Sequence, residues 1–188
     1  MLAQRELDPE LKRQLGTIYQ QAMRAHEMIS DMMLFARPPK PTISEMPIDR
    51  FFEKLLDRFR DRTHLSTIND TNLEKFACDA SQLLEAFSAL IENAMEANDS
   101  VPHIKIQFVE LSTNSIGIRI EDDGPGVSGE TRRHMFDPFY SGREAGRGLG
   151  FGLSKAWTIA QIHGGDLTLE KWQDGCAFLF RLPADPIE

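Results

Sequence analysis

The sequence has few of the residues on which several protein classes depend, and cysteine is the clearest case. Only two cysteines are present, Cys78 and Cys176, and they lie far apart with no CxxC spacing. This usage favours two buried, reduced thiols in a cytosolic protein.

Basic residues are fewer than acidic ones, and long apolar runs are lacking. The chain has 21 Lys and Arg against 29 Asp and Glu, which gives a net charge of −8 over 188 residues. Because nucleic-acid binding depends on a basic face, this balance disfavours a nucleic-acid partner. No apolar run is long enough to cross a bilayer, and the sequence does not open on a secretory signal. We therefore expect a cytoplasmic chain without membrane contact of its own, while a membrane anchor in a parent protein stays open.

The first forty residues differ from the rest of the chain. Asp8 and Pro9 are typical of a helix start, and residues 37–41, RPPKP, end the helix and form a stiff linker. Between them, apolar residues alternate in steps of four and three, as in the seam of a coiled coil. A single seam helix needs a partner, either a second copy of the chain or a piece upstream. The seam residues are Leu11, Leu15, Ile18, Ala22, Ala25, Ile29, Met32 and Ala36.

The remainder of the chain mixes helix and strand patterns. Apolar periodicity and capping residues predict helices over residues 48–59, about 79–97 and about 153–163. Alternation predicts strands over residues 73–77, 103–109, 115–120, 166–172 and 177–182. A length of 188 residues fits one domain of this kind with an appendage.

Residues 139–156, FYSGREAGRGLGFGLSKA, hold a cluster of glycines directly before a predicted helix. The segment has neither the Lys-Ser or Lys-Thr of a P-loop nor the third glycine of a Rossmann loop. Glycines before a helix start favour anion binding, and Arg143 and Arg147 add positive charge there. A flexible surface loop explains the stretch equally well when it is taken alone.

Three further segments bear on this choice. Residues 121–127, EDDGPGV, end a strand in an acidic glycine turn that suits either a base pocket or an ordinary turn. Residues 90–98, LIENAMEAN, place Asn93 on a helix, where its oxygen is a candidate Mg²⁺ ligand or simply a surface group. Residues 135–140, MFDPFY, set aromatics around a proline, which is typical of core packing.

In their order along the chain and in their spacing, the four segments resemble the ATP-binding domain of sensor histidine kinases. This domain belongs to the ATPase group that includes gyrase, the Hsp90 chaperones and MutL. LIENAMEA resembles the N box, DDGPG the first glycine box, MFDPFYSGR the F box and GRGLGFGL the second glycine box. The resemblance covers roughly residues 47–183. It implies an α+β fold, a two-layer sandwich of a mixed sheet covered by helices (Bergerat type), after a coiled-coil-like helix. We thus predict two domains: residues 1–40, whose seam helix is similar to the second helix of a dimerisation and phosphotransfer hairpin, and an ATP-binding catalytic domain over 41–188.

The resemblance also implies roles for individual residues. Asn93 holds Mg²⁺ and phosphates, Glu92 is a candidate base, and Arg143 or Arg147 lies near the γ-phosphate. Asp122 accepts the adenine amino group. We expect residues 139–145 to be mobile until ATP binds, and residues 146–153 to hold the phosphates. The other implied nucleotide contacts are Gly124, Gly126, Val127, Phe136, Phe139, Arg143, Gly146, Gly148, Leu149, Gly150 and Gly152.

The sequence departs from the family pattern in three places. It has no HExxxP-like box for the phosphoacceptor, and its one His-Glu pair begins at His26, where a solvated helix-surface histidine is expected. Ala89 stands where the family often has a second metal-side Asn, four residues before Asn93. Cys176 stands where the last strand often has a Thr, and its thiol is a weaker hydrogen-bond partner.

Two functions are compatible with this pattern. The first is the catalytic part of a two-component sensor histidine kinase, which binds ATP and Mg²⁺ and transfers the γ-phosphoryl to a histidine outside this chain, for relay to a response regulator receiver domain. The second is a nucleotide-responsive dimerising interaction module without kinase activity. An anti-sigma-type serine kinase fits less well, because the PFY segment and the seam helix match the histidine-kinase arrangement. A homodimer through the N-terminal helix of the full-length protein is expected in either case.

Overall fold

The structure is a computed structural model that describes residues 8–112, 114–140, 150–171 and 173–184. Contacts between backbone segments divide the chain into two compact units, Met1–Arg37 and Pro38–Glu188. The first unit contains one helix, and the second contains the remaining helices and all the described strands.

Helix α1 spans Pro9–Ala36, and its start is the predicted one. The Asp8 side chain accepts a hydrogen bond from the backbone N–H of Glu10, and Pro9 occupies the first helical position. The large apolar side chains of the predicted seam remain 43–64% exposed in the single chain. Burial of this stripe by a second helix, and hence the homodimer, stays a prediction. The exposed seam residues are Leu11, Leu15, Ile18, Ile29 and Met32.

The second unit is an α+β sandwich, as predicted. Its main sheet has the strand order β2-β4-β5-β7-β6, with β2 parallel to β4 and every other neighbouring pair antiparallel. A separate two-stranded ladder joins β1 to β3. In chain order the elements are β1 Ser44–Pro47, α2 Ile48–Phe59, β2 His64–Asp70, β3 Lys75–Cys78, α3 Ala80–Ala97, β4 His103–Ser112, β5 Ser115–Asp122, α4 Gly129–His134, α5 Gly152–Ile162, β6 Asp166–Lys171 and β7 Cys176–Pro183.

The predicted helices and strands are confirmed to within a few residues at their ends, apart from three elements that were missed. Strands β1 and β2 and the six-residue helix α4 were not expected. Strand β2 is an edge strand with the mostly exposed sequence HLSTIND, so it has no clear apolar alternation. Residue 172, at the predicted end of β6, lies outside the described residues.

Aromatic side chains between the helices and the sheet form the core. Phe51 of α2 is fully buried, and its ring meets the rings of Phe76, Phe87 and Phe108 edge to face at 5.4–6.1 Å between centroids. Phe87 of α3 also contacts Phe180 of β7 at 5.4 Å. These contacts fasten α2 and α3 to the sheet and confirm the layered arrangement.

The two cysteines are free and buried, as predicted. Burial raises the pKa of the Cys78 thiol to about 12, and the nearby Asp79 charge adds to the effect. Burial likewise raises the pKa of Cys176 to about 12, with a contribution from Asp122. Both side chains are therefore neutral thiols at physiological pH.

Candidate nucleotide-binding site

Helices α3 and α5 lie side by side and run in opposite directions, which brings two predicted motifs together. Three contacts define their register. Asp79 N–H donates to His163 Nε2 at 3.1 Å, and Lys155 Nζ bonds Glu85 Oε1 at 3.1 Å. At the other end, a Cβ added to Gly152 would lie 3.9 Å from Ala89 Cβ. The end of the glycine-rich segment thus meets α3 one helical turn before Asn93.

Asn93 is half-buried on α3, between the residues that face the core and those that face solvent. Ala89, one turn earlier, is small enough for Gly152 to approach. Within the described part of the chain, no three His, Cys, Asp or Glu side chains are grouped so as to hold a metal ion. The Asn93 oxygen, ligand phosphates and water would together form a ligand set that suits Mg²⁺.

Glu92 is the neighbour of Asn93, yet it points about 100° away around the helix. Its Oε1 atom lies 3.8 Å from Nη1 of Arg62, and the Arg62 guanidinium stacks over the Phe59 ring at 5.1 Å. This partner belongs to the loop after α2, so Glu92 faces the α2 side of α3. The role of Glu92 as a base stays a prediction, and its described contact is an ion pair that sequence reasoning missed.

Asp122 ends strand β5 at the first glycine turn. Its Oδ1 accepts a hydrogen bond from the Gly124 N–H at 2.9 Å. Burial raises the pKa of this carboxyl above its ordinary value of 3.8, and the charges of Asp123 and Glu121 add to the effect, while the backbone N–H groups of Gly124 and Cys176 oppose it. A half-buried carboxylate in a turn of this kind is a suitable acceptor for an amino group that replaces water.

The turn requires its two glycines, one because of close contacts and the other because of its backbone conformation. A Cβ on Gly124 would lie 2.6 Å from Asp122 Oδ1 and 2.7 Å from Nδ2 of Asn98, and Gly126 has a φ of 76°. Asn98 caps α3 and bonds the Ala94 carbonyl, so its amide packs against the turn from the α3 side. Sequence reasoning missed Asn98, because only the tertiary structure brings it to Gly124. Val127, the last predicted residue here, is half-buried after the turn.

The two predicted phenylalanines of the F-box segment have different surroundings. The Phe136 ring is half-buried and meets Phe178 of β7 at 6.4 Å. Phe139 is 62% exposed, has a φ of 67°, and packs its ring against Phe151 at 4.6 Å. Phe136 is therefore part of the sheet packing, whereas Phe139 contacts the start of α5.

Gly150 lies directly against the backbone of residues 139–140, and we call this contact the neck. Its φ is 71°, and an added Cβ would lie 2.7 Å from the carbonyl carbons of both Phe139 and Tyr140, and closer still to the Tyr140 oxygen. Residues 139–140 and Gly150, which come before and after residues 141–149 in the chain, therefore meet directly before α5. The predicted residues Arg143, Gly146, Arg147, Gly148 and Leu149 lie outside the described residues.

The remaining departures noted in the sequence also have places in the structure. Cys176 begins β7 and pairs with Asp122 in the sheet register, so its neutral thiol lies next to the acidic turn. His26 is exposed on α1, as expected for a solvated helix-surface histidine. No helix in the described ranges combines the length and apolar character needed to cross a membrane.

A mixed sheet covered by helices, with a glycine turn after β5 and a glycine-rich start of α5 beside α3, is the fold that the sequence resemblance implied. The family described as histidine kinase-, DNA gyrase B-, and HSP90-like ATPase matches residues 78–186, more than half of the 188 residues. The chain belongs to this family.

Curated relatives are sensor kinases that extend beyond the matched part. The chain is 25% identical to the signal transduction histidine-protein kinase AtoS of Escherichia coli, over 99% of this chain and 31% of AtoS. It is 25% identical to the sensory histidine kinase/phosphatase NtrB of Vibrio alginolyticus, over 94% of this chain and 53% of NtrB. A shorter match, at 37% identity, joins 57% of this chain to 20% of AfsQ2 of Streptomyces coelicolor. The chain thus spans about half or less of these relatives.

Solved structures of histidine kinases share the fold. The catalytic domain of histidine kinase ThkA covers 76% of this chain and 95% of its own, with a TM-score of 0.66 at 22% identity. The histidine kinase AdeS of Acinetobacter baumannii covers 96% of this chain and 87% of its own, with a TM-score of 0.72 at 20% identity.

Proposed function

We propose that the chain is the ATP-binding catalytic portion of a two-component sensor histidine kinase. It transfers the γ-phosphoryl group of ATP to a histidine outside this chain, for relay to a response regulator. The observation that most supports this proposal is the half-buried Asp122 carboxylate in a glycine turn. Family membership adds an ATPase fold, and the α3–α5 register adds a metal-ligand candidate next to a glycine-rich helix start.

In this proposal Asp122 accepts a hydrogen bond from the exocyclic amine of adenine, and Gly124 and Gly126 leave room for the flat base. Recognition of this amine distinguishes adenine from guanine, which has a carbonyl at that position. Half-burial of the carboxylate strengthens the contact, because water competes less well for it.

At the other end of the nucleotide, the backbone N–H groups that begin α5, from Gly152 onward, favour phosphate oxygens. Gly150 allows the backbone to approach closely there. The family resemblance assigns Gly146, Gly148 and Leu149 to the same phosphates, with Arg143 or Arg147 near the γ-phosphate.

Asn93 would hold Mg²⁺ through its side-chain oxygen, and the ion when bound would offset the negative charge of the phosphates. The protein's own contribution is mainly positioning, since phosphoryl transfer needs aligned groups and charge stabilisation. A bond forms between the acceptor histidine nitrogen and the γ-phosphorus, while the bond from that phosphorus to the β–γ bridging oxygen breaks and ADP leaves.

We propose two macromolecular partners and a cytoplasmic location. The exposed seam of α1 supports a homodimer of the full-length protein. A response regulator receiver domain is the expected acceptor of the relay, and the similar kinase ThkA has been solved in complex with response regulator protein TrrA, with a TM-score of 0.73 at 20% identity.

One observation favours the second candidate, a nucleotide-responsive module without kinase activity. Ala89 stands where the family often has a second Asn whose side-chain oxygen binds the metal. With one oxygen ligand fewer, metal binding is weaker than in relatives that have both. Such a module still binds nucleotide through Asp122 but does not align the γ-phosphate.

The deciding experiment supplies the missing acceptor. The chain is incubated with γ-labelled ATP, Mg²⁺ and a separately produced helix hairpin that carries the acceptor histidine of a related sensor kinase. We expect acid-labile phosphohistidine on the hairpin, its loss in Asn93→Ala, and an unchanged yield in His26→Ala. Nucleotide binding without phosphohistidine favours the module, and absence of nucleotide binding contradicts both candidates.

A further inference from the structure

The start of helix α3 contains a buried junction of side chains that none of the assigned nucleotide contacts uses. Asp79 is 9% exposed and His163 is 5% exposed. Asp79 is the N-cap of α3, and His163 is the C-cap of α5. The junction therefore joins the ends of the two helices that flank the candidate site.

Asp79 uses its two carboxylate oxygens on different elements. Oδ1 caps α3 by accepting the backbone N–H groups of Ser81 and Gln82 at 3.0 and 3.1 Å, and the Ser81 hydroxyl at 2.6 Å. Oδ2 accepts the backbone N–H of Thr42 at 2.9 Å. Burial alone would raise the pKa of this carboxyl, but these hydrogen bonds hold it below its ordinary value of 3.8. One ionised side chain thus fixes both the start of α3 and Thr42, which belongs to the segment between α1 and β1, residues 37–43, called the linker from here on.

His163 completes the junction from the α5 side. Its Nδ1 lies 2.8 Å from the Ile159 carbonyl, so it donates there, and Nε2 accepts the Asp79 N–H. Burial lowers the pKa of the ring, and the hydrogen bond to the Ile159 carbonyl and the Asp79 charge oppose this only partly. Because Nε2 accepts one hydrogen bond and Nδ1 donates another, the ring is neutral, and it links the α3 start to the last turn of α5.

The linker reaches this junction because of the small β1–β3 ladder. Ser44 pairs with Cys78, the residue before Asp79, so Thr42 lies next to the Asp79 carboxylate. Pro41 and Ile43, on either side of Thr42, line a small cavity beside the His163 ring. The chain segment between α1 and the sheet is thus seated directly on the ends of both site helices.

Resting on the proposed function, we infer that Asp79 is a positioning residue that couples the seating of linker residue Thr42 to nucleotide binding between α3 and α5. When the Thr42 N–H donates to the Asp79 carboxylate, which we call seating of the linker, the side chain is held in place at the start of α3. This in turn maintains the α3–α5 register that brings Gly152 to Ala89, one turn before Asn93. A linker pulled away from Asp79 loosens this register and weakens nucleotide binding. Movement of the linker is then a means of regulating the site.

Coupling of this kind is reciprocal, and this makes it measurable at the Thr42 amide itself. If seating favours nucleotide binding by some factor, bound nucleotide favours seating by the same factor. We expect saturating ADP or a non-hydrolysable ATP analogue to slow hydrogen exchange at the Thr42 amide by about fivefold or more, at the low end of couplings between sites. In Asp79→Asn, whose amide still caps α3 but offers no ionised acceptor to Thr42, the exchange is fast with or without nucleotide.

Measurements of nucleotide affinity in linker variants test the reverse effect, that of linker seating on nucleotide binding. Thr42→Pro removes the N–H donor, whereas the matched Thr42→Ala keeps it. In Thr42→Pro we expect nucleotide affinity to fall by about the same factor by which nucleotide slows exchange at the wild-type Thr42 amide. In Thr42→Ala we expect nucleotide affinity to stay unchanged. Adding Thr42→Pro to Asp79→Asn produces no further loss, because both changes remove one bond.

The outcomes separate this inference from the proposed function. If the wild-type chain binds nucleotide but Thr42 exchange does not respond and Thr42→Pro binds like Thr42→Ala, the coupling is wrong and the proposed function stands. If the wild-type chain binds no nucleotide, both are wrong. Should Thr42→Pro not fold, the exchange comparison of wild type with Asp79→Asn decides alone.

Discussion

The neck at Gly150 offers a prediction whose size follows from the backbone geometry. Gly150 has a φ of 71°, where an L-residue costs roughly 1–2 kcal/mol. An added Cβ would also overlap the backbone carbonyls of Phe139 and Tyr140, which are not flexible side-chain ends. Such overpacking typically adds about 1–3 kcal/mol. We therefore expect Gly150→Ala to lower the free energy of unfolding by about 2–5 kcal/mol.

Gly152→Ala is the matched control, two residues along the chain. Its Cβ would lie 3.8 Å from the Ala89 carbonyl oxygen, an ordinary contact, and alanine is preferred to glycine in a helix by up to about 1 kcal/mol. Urea unfolding followed by circular dichroism gives the free energy of unfolding of both variants. In thermal unfolding, the Tm of Gly150→Ala should fall by at least about 4 °C. A Gly150→Ala protein as stable as Gly152→Ala would refute the reasoning that the neck is a close backbone contact of the folded state.

Four shorter predictions concern other parts of the chain. Phe51→Ala should cost about 3–5 kcal/mol of unfolding free energy in urea titrations, because the ring is fully buried against three others; a loss below about 1 kcal/mol would contradict this core. Gly16→Ala should increase helix content, since nothing lies within 4 Å of the added Cβ and alanine favours helix; unchanged helix content would argue against a continuous α1. Burial lowers the pKa of His163 from its ordinary 6.5, so as the pH falls the histidine is protonated in the unfolded chain before it is protonated in the folded one. The free energy of unfolding therefore decreases as the pH drops from 6.5 to the lowered pKa of the folded state. His163→Gln should lack that component of the pH profile, and identical profiles would contradict a buried neutral ring. Chelation of Mg²⁺ should weaken ATP binding more than the binding of adenosine, and equal effects would contradict a metal-bridged phosphate at Asn93.

Much of the fold could be predicted, because its information is local in the sequence. Asp8 and Asp79 cap their helices as expected, and α2 spans the predicted residues 48–59. Strand β2 could not be predicted, because an edge strand exposed to solvent needs no apolar alternation. Helix α4 is six residues long, too short for a periodic pattern.

The candidate site was predictable only where its residues stand in recognisable motifs. Asp122, Gly124 and Asn93 stand in such motifs, and the structure places all three at the same end of the sheet and α3. The Asn98 amide against Gly124, and the bond from Asp79 to His163 across 84 residues, arise from tertiary packing that no local pattern encodes. Glu92 shows that adjacency in sequence does not imply adjacency in the site. It directly precedes Asn93, yet it lies on a different side of the helix, next to Arg62.

The anchoring of adenine by Asp122 is the central claim, and calorimetric titration with MgATP tests it most directly. The wild-type chain should bind one nucleotide, and Asp122→Asn should bind about ten- to hundredfold more weakly, as expected when a hydrogen bond to a charged acceptor is lost. Asp123→Asn is the matched control, since this neighbouring carboxylate is exposed and bonds His103 instead. Wild-type affinity in Asp122→Asn, or equal losses in the two variants, would contradict the account.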